Sequence, residues 1–158
     1  MGIFLASGDE IELIVNLVNT AYRGEGAGWT NETHLLQGPR TDAAEVGRLL
    51  NEGMILTFVD GGLLGCVYLQ PQADALYMGL LSVRPDRQGA GIGKKLMGAA
   101  VDFARERGYG RIRITVLSRR PELIAWYERH GYVRTGEALP FPWGDRLELI
   151  VLERAILG

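Results

Sequence analysis

Three glycines alternate with other residues at the point where an apolar, strand-like segment leads into a helix-like segment. Gly89, Gly91 and Gly93 lie in the stretch VRPDRQGAGIGKKL, which covers residues 83–96. Because glycine has no Cβ, the backbone N–H groups of such a turn are open to a ligand, and the helix that follows adds unpaired N–H groups and a partial positive charge. This combination suits a phosphate, and above all a pyrophosphate.

Two familiar phosphate-binding motifs do not fit this stretch. A P-loop needs four residues between its glycines and a Ser or Thr after its Lys, whereas Gly89 and Gly93 are one residue too close and Lys94 is followed by Lys95. A dinucleotide-binding fingerprint needs G-x-G-x-x-G in a first βαβ unit, whereas these glycines read G-x-G-x-G and lie past the midpoint of the chain.

A third motif fits the same residues. The stretch from Gln88 to Gly93 reads Q-x-x-G-x-G, and an apolar strand with Val-x-Pro precedes it. It resembles the acetyl-CoA pyrophosphate loop of the GNAT superfamily of N-acetyltransferases. A glycine-rich turn without a ligand is the alternative. The resemblance implies that the coenzyme is bound by Gln88, Gly89, Ala90, Gly91, Ile92, Gly93 and Lys94. Gln88 could either bond phosphate or brace the turn, and Lys94 could either contact the diphosphate or be solvated.

The resemblance also assigns a role to the strand before the loop. In proteins similar to this one, the fourth strand diverges from the fifth, and the pantetheine arm of the coenzyme inserts there. The backbone of Leu81 and Val83 would then pair with pantetheine, and a nearby backbone N–H would face the thioester oxygen. The side chains of these two residues are expected in the core.

A second stretch, WYERHGY over residues 126–132, resembles the other signature of the family, aromatic-Tyr-x-x-x-Gly-Phe/Tyr. The resemblance places Tyr127 beside the coenzyme sulfur. A phenol with a pKa of about 10 is neutral at pH 7 and can give its proton to a leaving thiolate; the alternative is an amphipathic core tyrosine. Trp126 and Tyr132 are expected to pack, and His130 to lie at the surface.

The chain departs from the family pattern at two places. Where the family often has Asn seven residues before the Tyr, this chain has Arg120, which with Arg119 could bind coenzyme phosphate, bind an acidic group or face water. The predicted fourth strand also lacks the Glu that serves as general base in some members. The base stays unassigned among Asp74, Glu25, Glu32, Glu148 and water relayed through Tyr77.

Acceptor recognition is predicted in two aromatic segments, the loop of residues 22–38 and the insert around residues 141–143. The candidate substrate-binding residues are Trp29, Tyr77 and Trp143. Aromatic rings with acids nearby suit an amine or aminoacyl cation, although the rings could equally anchor the loops. Cys66 lies mid-strand without an activating partner and is expected to be a core thiol rather than an acyl-carrying nucleophile.

Composition narrows the possible functions. The 158 residues carry a net charge of −2 with 47% hydrophobic residues, which is typical of one globular domain and offers no basic surface for nucleic acid. A single cysteine excludes an internal disulfide, and two distant histidines suggest no metal site. Neither a signal peptide nor a membrane span is apparent, so we expect a soluble cytoplasmic protein with no membrane partner.

Apolar periodicity predicts seven strands and four helices in the order β-αα-βββ-α-β-α-ββ. This is the order of the GNAT acyl-CoA N-acyltransferase fold, an α/β (α+β) fold with a mixed, mostly antiparallel sheet, and the resemblance covers the whole chain, residues 1–158, as a single domain. The predicted strands are 3–6, 54–59, 62–69, 75–83, 111–117, 132–135 and 147–152. The predicted helices are 11–22, 42–52, 91–107 and 122–130, and turns are predicted at 60–61 and 71–74.

The leading hypothesis is an acetyl-CoA-dependent N-acetyltransferase in which an amine of a small molecule or peptide attacks the thioester directly. A coenzyme-binding module without catalysis, acting as a sensor, is the alternative from another class. An acyltransferase that uses a longer acyl group or a hydroxyl acceptor is the third reading. The acceptor stays open, and so does the oligomeric state, for which a homodimer is plausible.

Overall fold

The strands and helices follow the predicted order. The computed structural model describes residues 2–23, 40–140 and 148–156. In those ranges the strands are β1 Gly2–Leu5, β2 Met54–Val59, β3 Leu63–Gln72, β4 Ala75–Val83, β5 Arg111–Leu117, β6 Val133–Pro140 and β7 Glu148–Ala155. The helices are α1 Ile11–Arg23, α2 Ala43–Glu52, α3 Ile92–Glu106 and α4 Pro121–Arg129, and single 3₁₀ turns cover Gly8–Glu10 and Pro85–Arg87.

The strands form one seven-stranded sheet in the order β1-β2-β3-β4-β5-β7-β6. The β1–β2, β2–β3, β5–β7 and β6–β7 pairs are antiparallel, and β4–β5 is parallel. The predicted mixed, mostly antiparallel sheet is thereby confirmed. β4 is the middle strand, as its almost continuous apolar sequence predicted, because a strand covered on both faces has no need of polar positions.

The chain forms two compact units. The first consists of Met1–Gln70 and Met78–Asp102, and the second of Pro71–Tyr77 and Phe103–Gly158. β3, β4 and α3 each contribute residues to both units. The single domain expected from the sequence stays a prediction, and the two units are described separately below.

In the first unit, the ends of α2 follow from local chemistry. Asp42 precedes the helix, and its carboxylate accepts a hydrogen bond from Glu45 N–H at 2.8 Å, which satisfies one of the free donors of the first turn. Gly53 follows the last helical residue, and its N–H donates to Leu49 O at 2.9 Å. Val46 and Leu49 are buried on the inner face of this helix. The predicted start and end of α2 are thereby confirmed.

The absence of a side chain at Gly65 lets α3 approach β3 closely. A Cβ built at Gly65 would lie 2.9 Å from Ile92 Cγ2, 3.0 Å from Leu96 Cδ1 and 3.1 Å from Ser82 O. Ile92 and Leu96 are buried on the inner face of α3, one turn apart. This contact fixes the first turn of α3, and with it the end of the glycine-rich stretch.

In the second unit, β5 shows the alternation expected for a strand with one wet face. Ile112 and Ile114 are buried, whereas Arg111 and Arg113 are half-buried and lie close to Glu153 of β7, with Arg113 Nε 2.8 Å from Glu153 Oε2. Gly131, at a φ of 93°, ends α4, and Tyr132 after it is buried.

Three predicted boundaries were wrong. β3 continues through Pro71 and Gln72, so the turn shrinks to residues 73–74; Pro71 is tolerated because the last β2–β3 pair is Met54↔Leu69 and no ladder bond to β2 requires its N–H. β6 and β7 are also longer than predicted. Gly136, at a φ of 89°, allows a bulge in β6, and the strand resumes pairing with β7 beyond it.

Replacing Gly65 with Ala should lower the free energy of unfolding by about 1–3 kcal/mol, because the added methyl group would force buried atoms of α3 and β4 apart. Gly98→Ala is the matched control, because Gly98 lies on the exposed face of α3 and nothing lies within 4 Å of a Cβ built there. This substitution should raise the free energy of unfolding by roughly 1 kcal/mol. Urea denaturation of both variants measures the two changes. Equal effects on stability would contradict the close-packing argument.

Candidate active site

The glycine-rich stretch forms an open turn at the end of the first unit's β4. Gly89 and Gly91 have φ values of 90° and 81°, a region that side chains with a Cβ rarely adopt. No atom lies within 4 Å of a Cβ built on either residue, and residues 89–91 are exposed. Backbone N–H groups of this turn are therefore accessible to a ligand.

The start of α3 adds donors directly after this turn. The first intrahelical bond runs from Lys95 N–H to Gly91 O at 3.0 Å, so the N–H groups of Ile92, Gly93 and Lys94 have no acceptor within their own helix. Lys94 is exposed, whereas the Lys95 ammonium lies 5.6 Å from the centre of the Phe58 ring. Lys94 is therefore the better placed of the two lysines to face a bound anion.

Gln88 braces the turn. Its amide Nε2 donates to Val83 O at 3.2 Å, which ties the beginning of the turn to the end of β4. This observation favours the bracing role that the sequence left open beside a phosphate contact. Both roles are compatible, because an amide has two N–H donors and an acceptor oxygen.

β4 departs from regular strand geometry three residues before its last residue, Val83. Leu80 has a φ of 51°, which is uncommon for a residue with a branched side chain and costs of order 1 kcal/mol or more. Ser82 Oγ donates to Leu80 O at 2.9 Å, and the Cys66 thiol lies 3.9 Å from the same oxygen. The sequence signal for this irregularity is Gly79, which precedes Leu80, because a glycine inside a strand often marks a departure from regular geometry.

The backbone of Leu81 and Val83 lies on the edge of β4 that faces away from β3. Arg84 N–H donates to Leu64 O of β3 at 2.8 Å, so Arg84 and, by alternation, Ser82 direct their backbone groups toward β3. The intervening Val83 and Leu81 direct theirs to the other edge. Their side chains are buried, as the sequence predicted.

Tyr22 contacts this same edge. Its hydroxyl donates to Leu81 O at 2.9 Å, although 59 residues separate the two in the chain. The sequence placed Tyr22 at the last apolar position of α1 and at the start of the predicted acceptor loop, residues 22–38. Helical spacing could show that its ring faces inward, but no local signal could show which carbonyl the hydroxyl would reach.

Tyr127 lies on the inner face of α4 in the second unit. It is 8% exposed, and its ring makes edge-to-face contacts with Tyr132 at 5.5 Å and Trp126 at 5.0 Å. Its carbonyl accepts from the N–H groups of His130 and Tyr132, which closes the helix. Burial of Tyr127 among aromatic rings is compatible with a role as the acid that protonates the leaving thiolate and with a role in core packing. His130 Nδ1 is 2.7 Å from Trp126 O.

Arg120 is buried rather than solvated. The residue is 1% exposed and stands immediately before Pro121, the first residue of α4, and its Nε lies 3.4 Å from Glu122 Oε1. Of the three alternatives, contact with water is therefore wrong for Arg120 and contact with an acidic group is observed. Arg119 is exposed.

The candidate bases differ in their surroundings. Asp74 precedes the first residue of β4 and forms a 3.1 Å salt bridge with Arg111, which disfavours it as a base for chemistry at Leu81. Glu148 begins β7 and is exposed, and Tyr77 is half-buried and pairs with Arg113 of β5. The remaining candidates Glu25 and Glu32, like the predicted substrate residues Trp29 and Trp143, lie outside the described residues.

The first unit's turn fits a coenzyme diphosphate. A doubly charged phosphate ester needs N–H donors, positive charge and room to approach the backbone. This turn offers them in two glycines with positive φ and open space at the built Cβ, in the free N–H groups at the start of α3, and in the Lys94 ammonium. Within the described ranges, no group of His, Cys, Asp and Glu residues could hold a metal ion, and no helix is long and apolar enough to cross a membrane.

Comparison with known proteins agrees with this geometry. Residues 29–132 match the model of the acetyltransferase (GNAT) family. The probable N-acetyltransferase camello of Xenopus tropicalis is 34% identical over 86 residues, which cover 52% of this chain and 39% of that protein. The chain spans about two fifths or less of the length of the curated relatives it matches.

Solved structures share the fold over nearly the whole chain. Ard1 from Thermoplasma volcanium has a TM-score of 0.78 at 22% identity and covers 99% of this chain and 98% of its own. A putative acetyltransferase from Salmonella typhimurium, solved with its cofactor acetyl-CoA, has a TM-score of 0.70 at 20% identity and covers 100% of this chain and 95% of its own.

The protein belongs to the GNAT acetyltransferase family. This confirms the family and the fold inferred from the two signatures. It also supports the predicted class, an acyltransferase, and the predicted co-substrate, since the family uses acetyl-CoA.

Cys66 should not react as a nucleophile in the folded protein. Burial raises the pKa of its thiol to about 12, and the residue is 1% exposed. Because only the thiolate is nucleophilic, iodoacetamide at pH 8 should leave the native protein unmodified and label it completely in urea. Mass spectrometry measures the label. Rapid labelling of the native protein would overturn the assignment of Cys66 to the core.

Proposed function

We propose that this chain is an N-acetyltransferase that moves the acetyl group of acetyl-CoA to an amine of a small molecule or peptide, by direct attack in a ternary complex. The observation that supports it most is the turn of residues 88–91, which leads two positive-φ glycines into the free N–H groups of α3. The coenzyme supplies an activated thioester, and residues of this chain bind it and transfer the protons.

Binding is assigned to the first unit. The N–H groups of residues 89 and 91–94 and the Lys94 ammonium would hold the diphosphate, whereas the Ala90 N–H donates to Arg87 O at 3.3 Å. Gln88 would keep the turn in place through Val83 O. The edge of β4 would hold the pantetheine arm through Leu81 and Val83. Their carbonyls already accept one hydrogen bond each, and a carbonyl oxygen has a second lone pair.

Stabilisation of the developing negative charge is assigned to β4. Leu80, immediately before Leu81, has a φ of 51°, which departs from regular strand geometry. The Leu81 N–H, on the edge away from β3, would donate to the thioester oxygen as charge grows there. A fixed backbone donor of this kind needs no reorganisation during the reaction.

Proton transfer to the leaving group is assigned to Tyr127. The amine nitrogen forms a bond to the carbonyl carbon as the carbon–sulfur bond breaks, the amine loses one proton, and the sulfur gains one from the Tyr127 hydroxyl. A neutral phenol is a suitable acid for a thiolate at pH 7. The amine proton leaves to water, and the Tyr127 phenolate regains a proton from water, so the overall reaction yields the amide and the free thiol without net change in the protein.

A binding module without catalysis is the second candidate, because β4 carries no Glu. Turnover distinguishes it from an enzyme. Calorimetric titration with acetyl-CoA, with NAD and ATP as controls, tests the binding site first, and release of free thiol in the presence of amines then tests catalysis. Comparing acetyl-, propionyl- and succinyl-CoA as donors tests the acyl group.

Gly91→Glu should abolish binding of acetyl-CoA, because a carboxylate side chain would crowd and repel the diphosphate. Gly108→Glu is the matched control, since Gly108 has a φ of 79°, open space around a built Cβ and exposure similar to those of Gly91, but lies after the other end of α3. It should bear the same strain and charge without loss of affinity. Calorimetry measures both, and undiminished affinity of Gly91→Glu would contradict the loop assignment.

Tyr127→Phe should lower kcat by about 10²- to 10⁴-fold, the usual contribution of a general acid, while the Kd of acetyl-CoA stays the same. Tyr132→Phe is the control, because its buried hydroxyl has no hydrogen-bond partner among the described residues. It should leave kcat unchanged and raise stability slightly. Steady-state kinetics with thiol detection measures both. An unchanged kcat in Tyr127→Phe would remove Tyr127 from the mechanism.

A further inference from the structure

Arg40 is a half-buried cation in the first unit, held against an aromatic ring. Its guanidinium carbon lies 5.3 Å from the centre of the Tyr22 ring, and its side chain is 31% exposed. Within the part of the chain that the structure describes, the one carboxylate close to it is that of Glu45, with Nη1 3.9 Å from Oε1. That separation is too long for a hydrogen bond, so Glu45 does not form a bidentate pair with the N–H donors of the Arg40 guanidinium.

The position of Arg40 is fixed by its backbone. Asn19 Oδ1 accepts from the N–H of Arg40 at 2.7 Å and from the N–H of Thr41 at 2.9 Å, and Asn19 Nδ2 donates to Thr41 O at 3.0 Å. Three hydrogen bonds thus tie the start of α2 to α1. Asn19 therefore fixes the backbone of Arg40, and the guanidinium itself contacts the Tyr22 ring and lies farther from Glu45.

Tyr22 links this cation to the edge of β4. Its ring carries the guanidinium, and its hydroxyl donates to Leu81 O at 2.9 Å. The guanidinium therefore lies on the order of 10 Å or less from the Leu81 carbonyl, given the size of a tyrosine side chain and the usual cation–π and hydrogen-bond distances.

We propose that Arg40 binds a carboxylate of the acceptor, so that the acceptor is an amino-acid-like amine whose carboxylate is one or two carbons from the nitrogen. The inference rests on the proposed function, which places the thioester beside Leu81 and therefore brings the attacking amine close to it. An amine that attacks a thioester held at Leu81, with its carboxylate paired to the guanidinium, spans the distance between Leu81 and Arg40. Arginine suits this task because its donors match both carboxylate oxygens.

The positive charge of Arg40 disfavours acceptors that carry a second positive charge. A second ammonium group near Arg40 would be repelled, which disfavours a polyamine. A guanidinium close to the amine also lowers the pKa of that amine, which raises the fraction in the neutral, nucleophilic form. Arg40 is therefore a specificity-determining residue.

The test uses pairs of acceptors that differ only by the carboxylate. L-Phenylalanine is compared with phenethylamine, L-lysine with cadaverine and β-alanine with ethylamine, by release of thiol from acetyl-CoA. The wild type should prefer the carboxylated member of at least one pair by about 10- to 100-fold in kcat/KM, as expected for a charged hydrogen-bonded pair. Arg40→Met should reduce that preference to about 1, and Arg40→Lys should retain part of it.

Arg48→Met is the matched control. Arg48 lies 3.9 Å from the same Glu45 but also bonds Glu52 at 2.6 Å, and its side chain is 57% exposed on α2. Its removal should leave the preference unchanged. The KM of acetyl-CoA should be the same in all variants, and a rise confined to that KM in Arg40→Met would assign the cation to a coenzyme phosphate and overturn the proposal.

Failure of this inference differs from failure of the proposed function. Turnover of the decarboxylated amines as fast as the amino acids, or an undiminished preference in Arg40→Met, would overturn the role of Arg40 and leave the acetyltransferase intact. Acetyl-CoA binding without turnover of any panel member would also overturn it, since the carboxylated amine must be the better acceptor. Absence of acetyl-CoA binding would remove the proposed function itself.

Discussion

The contact between α3 and β3 at Gly65 is the constraint on which the candidate coenzyme site depends. Ile92 and Leu96 can lie against β3 only because residue 65 has no side chain. Once the first turn of α3 is placed there, the chain leaving β4 has few residues in which to reach it. Gly89 and Gly91 make that connection in a left-handed conformation, and free N–H groups at the start of the helix are left facing the turn.

The irregular end of β4 gives the first unit a second kind of site. A regular strand would direct backbone groups evenly to both neighbours, but Leu80 interrupts the geometry, and side chains bind the carbonyls on the edge away from β3. Tyr22 brings the end of α1 to this edge, and Arg40 lies on its ring. Tyr22 and Arg40 thus connect the edge of β4 that is proposed to hold the thioester with the residue proposed to recognise the acceptor.

The second unit buries groups that a core does not usually hold. Arg120 is 1% exposed beside Glu122, and Tyr127 is 8% exposed against Tyr132. A buried guanidinium is costly unless it is paired, so its presence before α4 constrains how that helix begins. Burial also raises the pKa of Tyr132, which keeps this second phenol neutral next to the proposed acid.

Local chemistry in the sequence determined most elements of the fold. Asp42 and Gly53 delimit α2, Asp60 and Gly61 join two strands, and the alternating residues of β5 mark one buried face. These signals work because capping, tight turns and amphipathic spacing involve residues close together in the chain. The overlooked strand ends at Gln72 and Pro140 show the limit, since pairing with a partner strand extends an element past its local signals.

The sequence by itself also determined the family and the loop proposed to bind the coenzyme, because a pyrophosphate is held mainly by consecutive backbone groups. Only the tertiary structure decided which contacts form within each unit between residues that are distant in the chain, and which charged side chains are buried. Local spacing in the sequence could not predict the hydrogen bond from the Tyr22 hydroxyl to Leu81, the contact of the Arg40 guanidinium with the Tyr22 ring, or the burial of Arg120. Their geometry depends on which elements the sheet brings together, and therefore appears only once the chain has folded.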